Sequence, residues 1–411
     1  MKKSMFRSLE NARAGVVSPN AFRTIEITKR SYNLQLSQLR DIESVHTALI
    51  NSIQVDNKIG RYMLSGCADG TIYIHDLFNL SGSPSHTCKA VWREKKATVN
   101  SHNASVETVQ WYPFDMGLFV TSGLDKILKI WDANTLQPCS KISAKGQIYQ
   151  HHMSPVPAKN CVIAVASSDH NVVLFDLRIG NCTQELRGHS NAVISCEWSS
   201  NDEHILATGG SDSRLLVWDI RSAKHCLLSL DIENKSAVLD HKKANRAHDG
   251  YISSVKFIDN STSLLSFGTD NKLRLWNLVS GKNQEVDYGN IKNNRKKKIQ
   301  IDVSQNSNPS VVYVPSDGNI LIFEIKTGDL VNTLTGHYNK TNCCYFDPIY
   351  LYLYSGGYDQ TILVWSDDNV QYIGYTDSKK PVSSSKSKFG RPQKPVVDPE
   401  SLLEDAWSDE D

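Results

Sequence analysis

Carboxylate, imidazole and hydroxyl groups at fixed spacing are what hydrolytic chemistry is built from, and this sequence offers them repeatedly. Asp212 has His189 23 residues before it and Thr208 between the two. Aspartates take the corresponding place at Asp69, Asp125, Asp169, Asp270, Asp317 and Asp359, and His46, His102, His248 and His337 precede four of these by 22 or 23 residues. A catalytic site is single, so a constellation written five times points to a structural role. A carboxylate and an imidazole tolerate burial when they hydrogen-bond to each other. Trp218, six residues after Asp212, brings an indole N–H to the same set. The expectation is a hydrogen-bonded chain of His189, Thr208, Asp212 and Trp218 that ties strands together. His151-His152 invites a metal, but Met153-Ser154-Pro155 follows and no carboxylate or cysteine stands at ligand spacing, so zinc is not expected. No phosphate-binding or dinucleotide fingerprint occurs. No catalytic residue and no cofactor is expected; the chain reads as a recognition platform.

The sharper chemistry belongs to two arginines. Nine residues after the repeated aspartate stand Arg178, in Phe175-Asp176-Leu177-Arg178, and Arg221, in Trp218-Asp219-Ile220-Arg221. Guanidinium groups dock on carboxylates and carbonyls with two parallel hydrogen bonds. The repeated aspartates lie at the opposite ends of the strands that precede these arginines. Both arginines should therefore open on one face and the aspartates on the other. On the aspartate face, Arg214, Lys272 and Tyr358 each stand beside a repeated aspartate and are candidates for holding a target.

The elements that must position these groups are short strands. Ile205 to Thr208 is apolar, Gly209 to Asp212 are turn formers, and Leu215 to Trp218 is apolar again, so the stretch reads as a hairpin. The repeated aspartates are 56, 44, 43, 58, 47 and 42 residues apart. Six residues after each stands His75, Trp131, Phe175, Trp218, Trp276, Phe323 or Trp365. This period, with its Gly-His and Trp-Asp signatures, resembles WD40 repeats, four strands to a propeller blade. The resemblance implies an all-β, seven-bladed propeller over residues 31–376. Insertions at 93–101 and 232–246 lengthen two of the gaps, and blades three and six lack the leading Gly-His. A ring must close or leave an open edge. Either the alternating stretch Tyr32–Ser37 or the segment Val370–Tyr375 could supply the last outer strand.

Residues 1–30 read as two helices, Phe6 to Ala14 and Pro19 to about Arg30, with Ser18 as N-cap and Phe22, Ile25 and Lys29 on one face. Residues 377–411 turn to Ser, Lys and Pro and then to acid around Trp407, a composition that cannot bury enough surface to fold alone. The run Arg295 to Lys298 reads as a solvated loop in preference to an import signal. The balance of 45 basic and 44 acidic residues offers no strong field for nucleic acid. Nine cysteines without a C-x-x-C pair suit reduced, buried thiols. No apolar run is long enough to cross a membrane as a helix.

The W-D-x-R ending on adjacent blades resembles receptors of cullin-RING ubiquitin ligases of the cullin-four type. Longer strings narrow this. Gly60-Arg61-Tyr62-Met63-Leu64-Ser65-Gly66, Ser105 to Pro113, His151 to Val156, Gly268-Thr269-Asp270-Asn271 and Glu404-Asp405-Ala406-Trp407-Ser408 are similar to the Cockayne syndrome group A family. That resemblance implies a nuclear, non-catalytic receptor subunit acting in transcription-coupled nucleotide excision repair. Its implied partners are a damaged-DNA-binding protein one-type adaptor, a cullin-RING ligase, a Cockayne syndrome group B-type repair ATPase and the RNA polymerase II complex. The adaptor would be met by Phe6 and Phe22 of the helical leader and by Arg221, Asp219 and Arg178. Direct sensing of damaged DNA, or a scaffold role in a chromatin or RNA complex without a ligase, are the alternatives.

Overall fold

The computed structural model describes residues 13–15, 18–81, 86–94, 98, 100–156, 162–222, 226–234, 245–258, 261–293, 295, 297–304 and 306–367. Among them are seven separate sheets. Val193–Trp198, Ile205–Gly210, Leu215–Asp219 and Cys226–Leu230 form an antiparallel meander, blade four, and the stretch around Asp212 is its middle hairpin. The same meander begins at Val106–Trp111 in blade two, Ile148–Met153 in blade three, Ile252–Ile258 in blade five and Asp302–Ser304 in blade six. Blade one begins at Ile50–Val55 and carries a fifth strand, Arg40–Ile42, parallel to His86–Glu94.

Blade seven is assembled from both ends of the described chain. Thr341–Phe346, Leu353–Gly357 and Ile362–Ser366 supply three strands, and Gln35–Leu36 pairs antiparallel outside them, with Gln35 opposite Ser366 and Leu36 opposite Trp365. The N-terminal strand thus closes the ring; the alternative segment at Val370 lies outside the described residues. The first strand of every blade touches the first strands of both neighbours, and Thr341–Phe346 meets Ile50–Val55.

These strands are enclosed on both faces, with the polar residues Glu107, Gln110, Ser195 and Glu197 buried beside apolar ones. Val106–Trp111 and Val193–Trp198 are buried at every position, as sheets packed face to face require. Trp131, Trp198, Trp218, Trp276 and Trp365 are wholly enclosed. In six of the seven blades the first hairpin slips register after its first residue pair, at Ile50/Ser52, Val106/Thr108, Ile148/Gln150, Val193/Ser195, Ile252/Ser254 and Thr341/Cys343. Such bulges bend and twist a strand, here at the same end of each innermost strand.

One helix is described at the N-terminus, α1 (Pro19–Tyr32). The Ser18 side chain accepts the Ala21 N–H, Pro19 occupies the first turn, and Lys29 and Arg30 sit in the last turn, where cations favour the helix dipole. Ile27 and Ser31, four apart, form its buried face. The expected first helix, with Phe6, lies almost wholly outside the described residues. The run at Arg295 departs from the expected solvated loop. Lys297 is exposed, but Lys298 crosses the axial opening to put its ammonium 2.9 Å from Thr108 Oγ1 in blade two. Arg295 donates to Thr341 O at 3.1 Å and lies over the Tyr358 ring. Both side chains satisfy backbone and hydroxyl groups that bulged strands leave open, which a reading of charge alone misses.

Leu34, just before the closing strand, packs with Val311, Tyr313, Leu334 and Trp365. Leu34→Ala is expected to cost about 2–4 kcal/mol in urea unfolding, whereas Leu36→Ala, on the half-open side of the same strand, should cost less than about 1 kcal/mol.

Candidate functional site

The recurring polar set forms the expected chain. In blade four the Trp218 indole donates to Thr208 Oγ1 at 2.7 Å, Thr208 Oγ1 lies 2.8 Å from His189 Nε2, and His189 Nδ1 lies 3.0 Å from Asp212 Oδ1. An indole N–H can only donate. The Asp212 carboxylate can only accept, so His189 Nδ1 carries the proton of the neutral ring and Nε2 accepts from the Thr208 hydroxyl, whose oxygen in turn accepts the indole N–H. Blades two, five and seven repeat the chain through Trp131, Thr121, His102 and Asp125; Trp276, Ser266, His248 and Asp270; and Trp365, Ser355, His337 and Asp359. Burial is the largest single influence on the carboxyls of Asp125, Asp212 and Asp359 and pushes them up, but the histidine hydrogen bond and charge together with neighbouring N–H and O–H donors outweigh it and hold all three below the usual range. The glycine before the turn is part of the design. A Cβ on Gly210 would overlap Asp212 Oδ1 and His189 Nδ1, and one on Gly268 would overlap the His248–Asp270 pair.

Four complete chains replace the five expected. In blade one, His75 stands where the other chains have tryptophan and cannot reproduce the indole. His46 bonds to Ser65 at 2.9 Å and stacks on His75, while Asp69 accepts from Thr47 at 2.8 Å. His151 and His152 have packing partners of their own: Ser122 Oγ lies 2.6 Å from His151 Nδ1, and the Trp198 N–H donates to His152 Nδ1 at 3.0 Å.

Antiparallel topology gives the ring two rims. Turns between second and third strands, with the repeated aspartates, lie at one; turns between first and second and between third and fourth strands lie at the other. Arg221 and Arg178 follow third strands and belong to the second rim. Arg221 forks onto Asp219, with Nε to Oδ1 at 3.0 Å and Nη2 to Oδ2 at 2.9 Å, and its side chain is 59% exposed. That hydrogen bond holds the Asp219 carboxyl below its ordinary range. The Arg178 side chain is exposed; its backbone N–H donates to Asp176 at 2.8 Å. A second fork lies in blade one, where the sequence spacing does not point to it. Arg61 reaches Asp76, the blade-one counterpart of Asp219, with Nη2 to Oδ2 at 2.8 Å, and it comes from the neighbouring strand.

Helix α1 lies on this same rim. Thr28 Oγ1 accepts the N–H of Asn308, in the first turn of blade six, at 2.8 Å, and Tyr32 OH donates to Glu324, at the end of its third strand, at 3.4 Å. Phe22 is half-buried and Ile25 is 59% exposed. Ile27 reaches the axial opening on this side, a cavity of about 350 Å³ shared with Trp198, Phe257 and Phe346.

On the aspartate rim, Arg214 donates to Gly188 O at 3.0 Å and Lys272 to Gly289 O at 3.3 Å, while the Tyr358 ring lies 4.8 Å from the Arg295 guanidinium. All three sequence candidates are on one rim, each already tethered to its own loop.

Seven blades in a closed ring, four of them welded by these chains, define a WD40 propeller. Residues 38–76, 93–132 and 328–366 match the WD domain, G-beta repeat, and residues 155–287 match the Nucleolar protein 10-like, N-terminal domain. The chain is 30% identical over 434 residues to WD repeat-containing protein ATCSA-1 of Arabidopsis thaliana, an alignment covering 88% of this chain and 95% of that protein. It is 27% identical to Radiation-sensitive protein 28 of Saccharomyces cerevisiae, over 56% of this chain and 49% of that protein. It is 29% identical to the Ribosome biogenesis protein WDR12 homolog of Anopheles gambiae, over 52% of this chain and 47% of that protein. The chain belongs to the Cockayne syndrome group A-like family of WD-repeat proteins.

Burial lowers His46 to about 4 and His152 to about 3. With the folded values below the unfolded one near 6.5, the unfolded chain takes up protons first as pH falls. Stability should therefore drop between pH 6.5 and 4, by about 1.4 kcal/mol per pH unit for each such histidine. His152→Gln, which keeps an acceptor for the Trp198 N–H, should flatten that slope in urea titrations run across the range.

Proposed function

We propose that this protein is the non-catalytic substrate receptor of a cullin-four-type RING ubiquitin ligase, acting in transcription-coupled nucleotide excision repair in the nucleus. The observation that carries the reading is the exposed Arg221–Asp219 fork on the same rim as α1, in a chain of the Cockayne syndrome group A-like family. Asp219 fixes the guanidinium plane before any partner arrives, so less side-chain freedom is lost on docking. The Nη1 donors stay outside the fork and are offered to a carboxylate or carbonyl of a damaged-DNA-binding protein one-type adaptor. Arg178 adds a second, less restrained guanidinium on the adjacent blade. Phe22 and Ile25, on or beside the open face of α1, and Phe6 ahead of it, supply the apolar part of the contact. The aspartate rim, with Arg214, Lys272 and Tyr358, is then left to hold the target, a repair factor of the Cockayne syndrome group B type at a stalled RNA polymerase II complex. Holding a target near a recruited ubiquitin-charged enzyme works by effective concentration and needs no bond chemistry from this chain.

A scaffold role in ribosome assembly is the second reading, favoured by the partial likeness to the WDR12 homologue. Affinity purification from cells separates the two: recovery of the ligase adaptor supports the receptor, and recovery of preribosomal proteins without it supports the scaffold. Arg221→Ala is expected to weaken adaptor binding about tenfold or more, the loss typical of one interfacial charged anchor. Ile25→Asp should weaken it further. Both variants should keep the parent melting temperature, and unchanged adaptor affinity in both would refute this docking mode.

A further inference from the structure

The aspartate rim carries a feature that net charge hides. Between blades five and six the chain crosses the axial mouth with Lys292, Arg295, Lys297 and Lys298, and blade seven adds Lys340. These positions are linked through the fold. Arg295 donates to Thr341 O and stacks on Tyr358, whose N–H donates to Lys340 O at 2.8 Å. The ammonium groups of Lys292, Lys297 and Lys340 are exposed, with no ion-pair partner among the described residues. Tyr338, beside Lys340, is 98% exposed. The carboxylates of this rim are mostly committed elsewhere: Asp125, Asp212, Asp270 and Asp359 to their histidines, and Asp249 to Arg246 at 2.9 Å. The rim thus holds four of its acids in the welds and leaves Lys292, Lys297 and Lys340 in solvent. Lys298, beneath them, has Thr108 as its hydrogen-bond partner, and burial lowers its amine to about 8.

We propose that this axial mouth binds an acidic peptide segment of the target, with carboxylates on Lys297 and Lys340 and an apolar or aromatic side chain against Tyr338. The proposal deepens the reading of this rim as the target side and rests on it. An extended peptide suits a compact patch bounded by Asp287 and Asp317. Duplex nucleic acid needs a longer continuous basic track, and these acids interrupt one. Exposed cations set partner choice and association rate more than raw affinity, so the binding is salt-sensitive.

The test uses full-length protein bound to the ligase adaptor and follows fluorescence anisotropy of three probes: a short Glu/Asp-rich peptide with a central tyrosine, its Gln/Asn counterpart, and a labelled DNA duplex. The acidic peptide is expected to bind, the neutral one to bind at least about tenfold more weakly, and added salt to weaken the acidic peptide. Lys297→Glu with Lys340→Glu should remove about tenfold or more of the acidic peptide's affinity, and Tyr338→Ala should lower it to a lesser degree. Both variants keep solvent-facing positions, and an unchanged melting temperature confirms their fold. Equal binding of both peptides, indifference to charge reversal, or preference for the duplex overturns the proposal. Adaptor binding by the parent protein is scored separately: its retention beside failed binding of the acidic peptide to that parent sinks this proposal alone, and its absence sinks the receptor reading.

Discussion

Each blade ends inward in a strand with no sheet partner on its axial side, and an unpaired edge buried from water leaves N–H groups without acceptors. The ring depends on how those groups are satisfied. Across five of the seven blade junctions, a side chain on one innermost strand accepts a backbone N–H of the next: Gln54 from Trp111 at 2.6 Å, Gln110 from Met153 at 2.9 Å, His152 from Trp198 at 3.0 Å, Glu197 from Phe257 at 2.8 Å and Asp302 from Phe346 at 2.8 Å. The remaining two are handled by other chemistry. Lys256 lies 3.2 Å from both Glu197 and Asp302, joining blade five to its neighbours, and Tyr345 OH donates to Asn57 at 2.7 Å across the closing seam. Burial pushes the Lys256 amine down, but the two carboxylates outweigh it and hold it charged.

These junctions explain why blades can lose the His–Asp weld and persist. The weld ties a blade-to-blade loop to its own second and third strands, whereas the axial side chains tie one blade to the next. Blades three and six lack the weld, yet both take part in the axial series, through His152 and Asp302. Their apolar packing is undiminished, since Ala164, Ala166 and Leu174 in blade three and Val312 and Val314 in blade six are wholly enclosed. The two devices are independent, so sequence drift in one leaves the other standing.

What could be read from the sequence follows from the range of each interaction. The weld was legible because its members recur at constant spacing, and the rim assignment of Arg221 followed from strand direction alone. The failures share a cause. Gln54, Gln110 and Glu197 read as ordinary polar residues within strands, because their partners are 57, 43 and 60 residues away in another repeat. Arg61 was missed because it reaches Asp76 from the adjacent strand, not from the turn beyond it. The basic run at Arg295 looked solvated because nothing local shows that Lys298 reaches Thr108, 190 residues earlier in the chain. A fifth weld was expected in blade one because the histidine and aspartate are correctly spaced. With His75 in place of the indole, His46 still finds the equivalent hydroxyl, Ser65, but Asp69 turns from the histidine to Thr47.

The closing seam joins the two rims. At the aspartate rim Asn342 Nδ2 crosses it to donate to Ile50 O at 3.2 Å; at the next junction Asn51 Nδ2 donates to Ser105 Oγ at 2.8 Å, whose hydroxyl reaches Glu107 at 2.8 Å. Asn51, Glu107 and Asn342 are the residues skipped by the bulges in blades one, two and seven. In blades seven and one the bulge that bends the innermost strand therefore also releases the asparagine that stitches it to the next blade. At the other rim, the strand that closes blade seven follows α1 after only Asn33 and Leu34, and Asn332 Nδ2 donates to Leu34 O at 3.1 Å in that connection. A partner that grips α1 holds the peptide that completes the ring. Binding to the closed form alone must stabilise closure by mass action, so occupancy on one rim supports the seam whose far end frames the basic mouth.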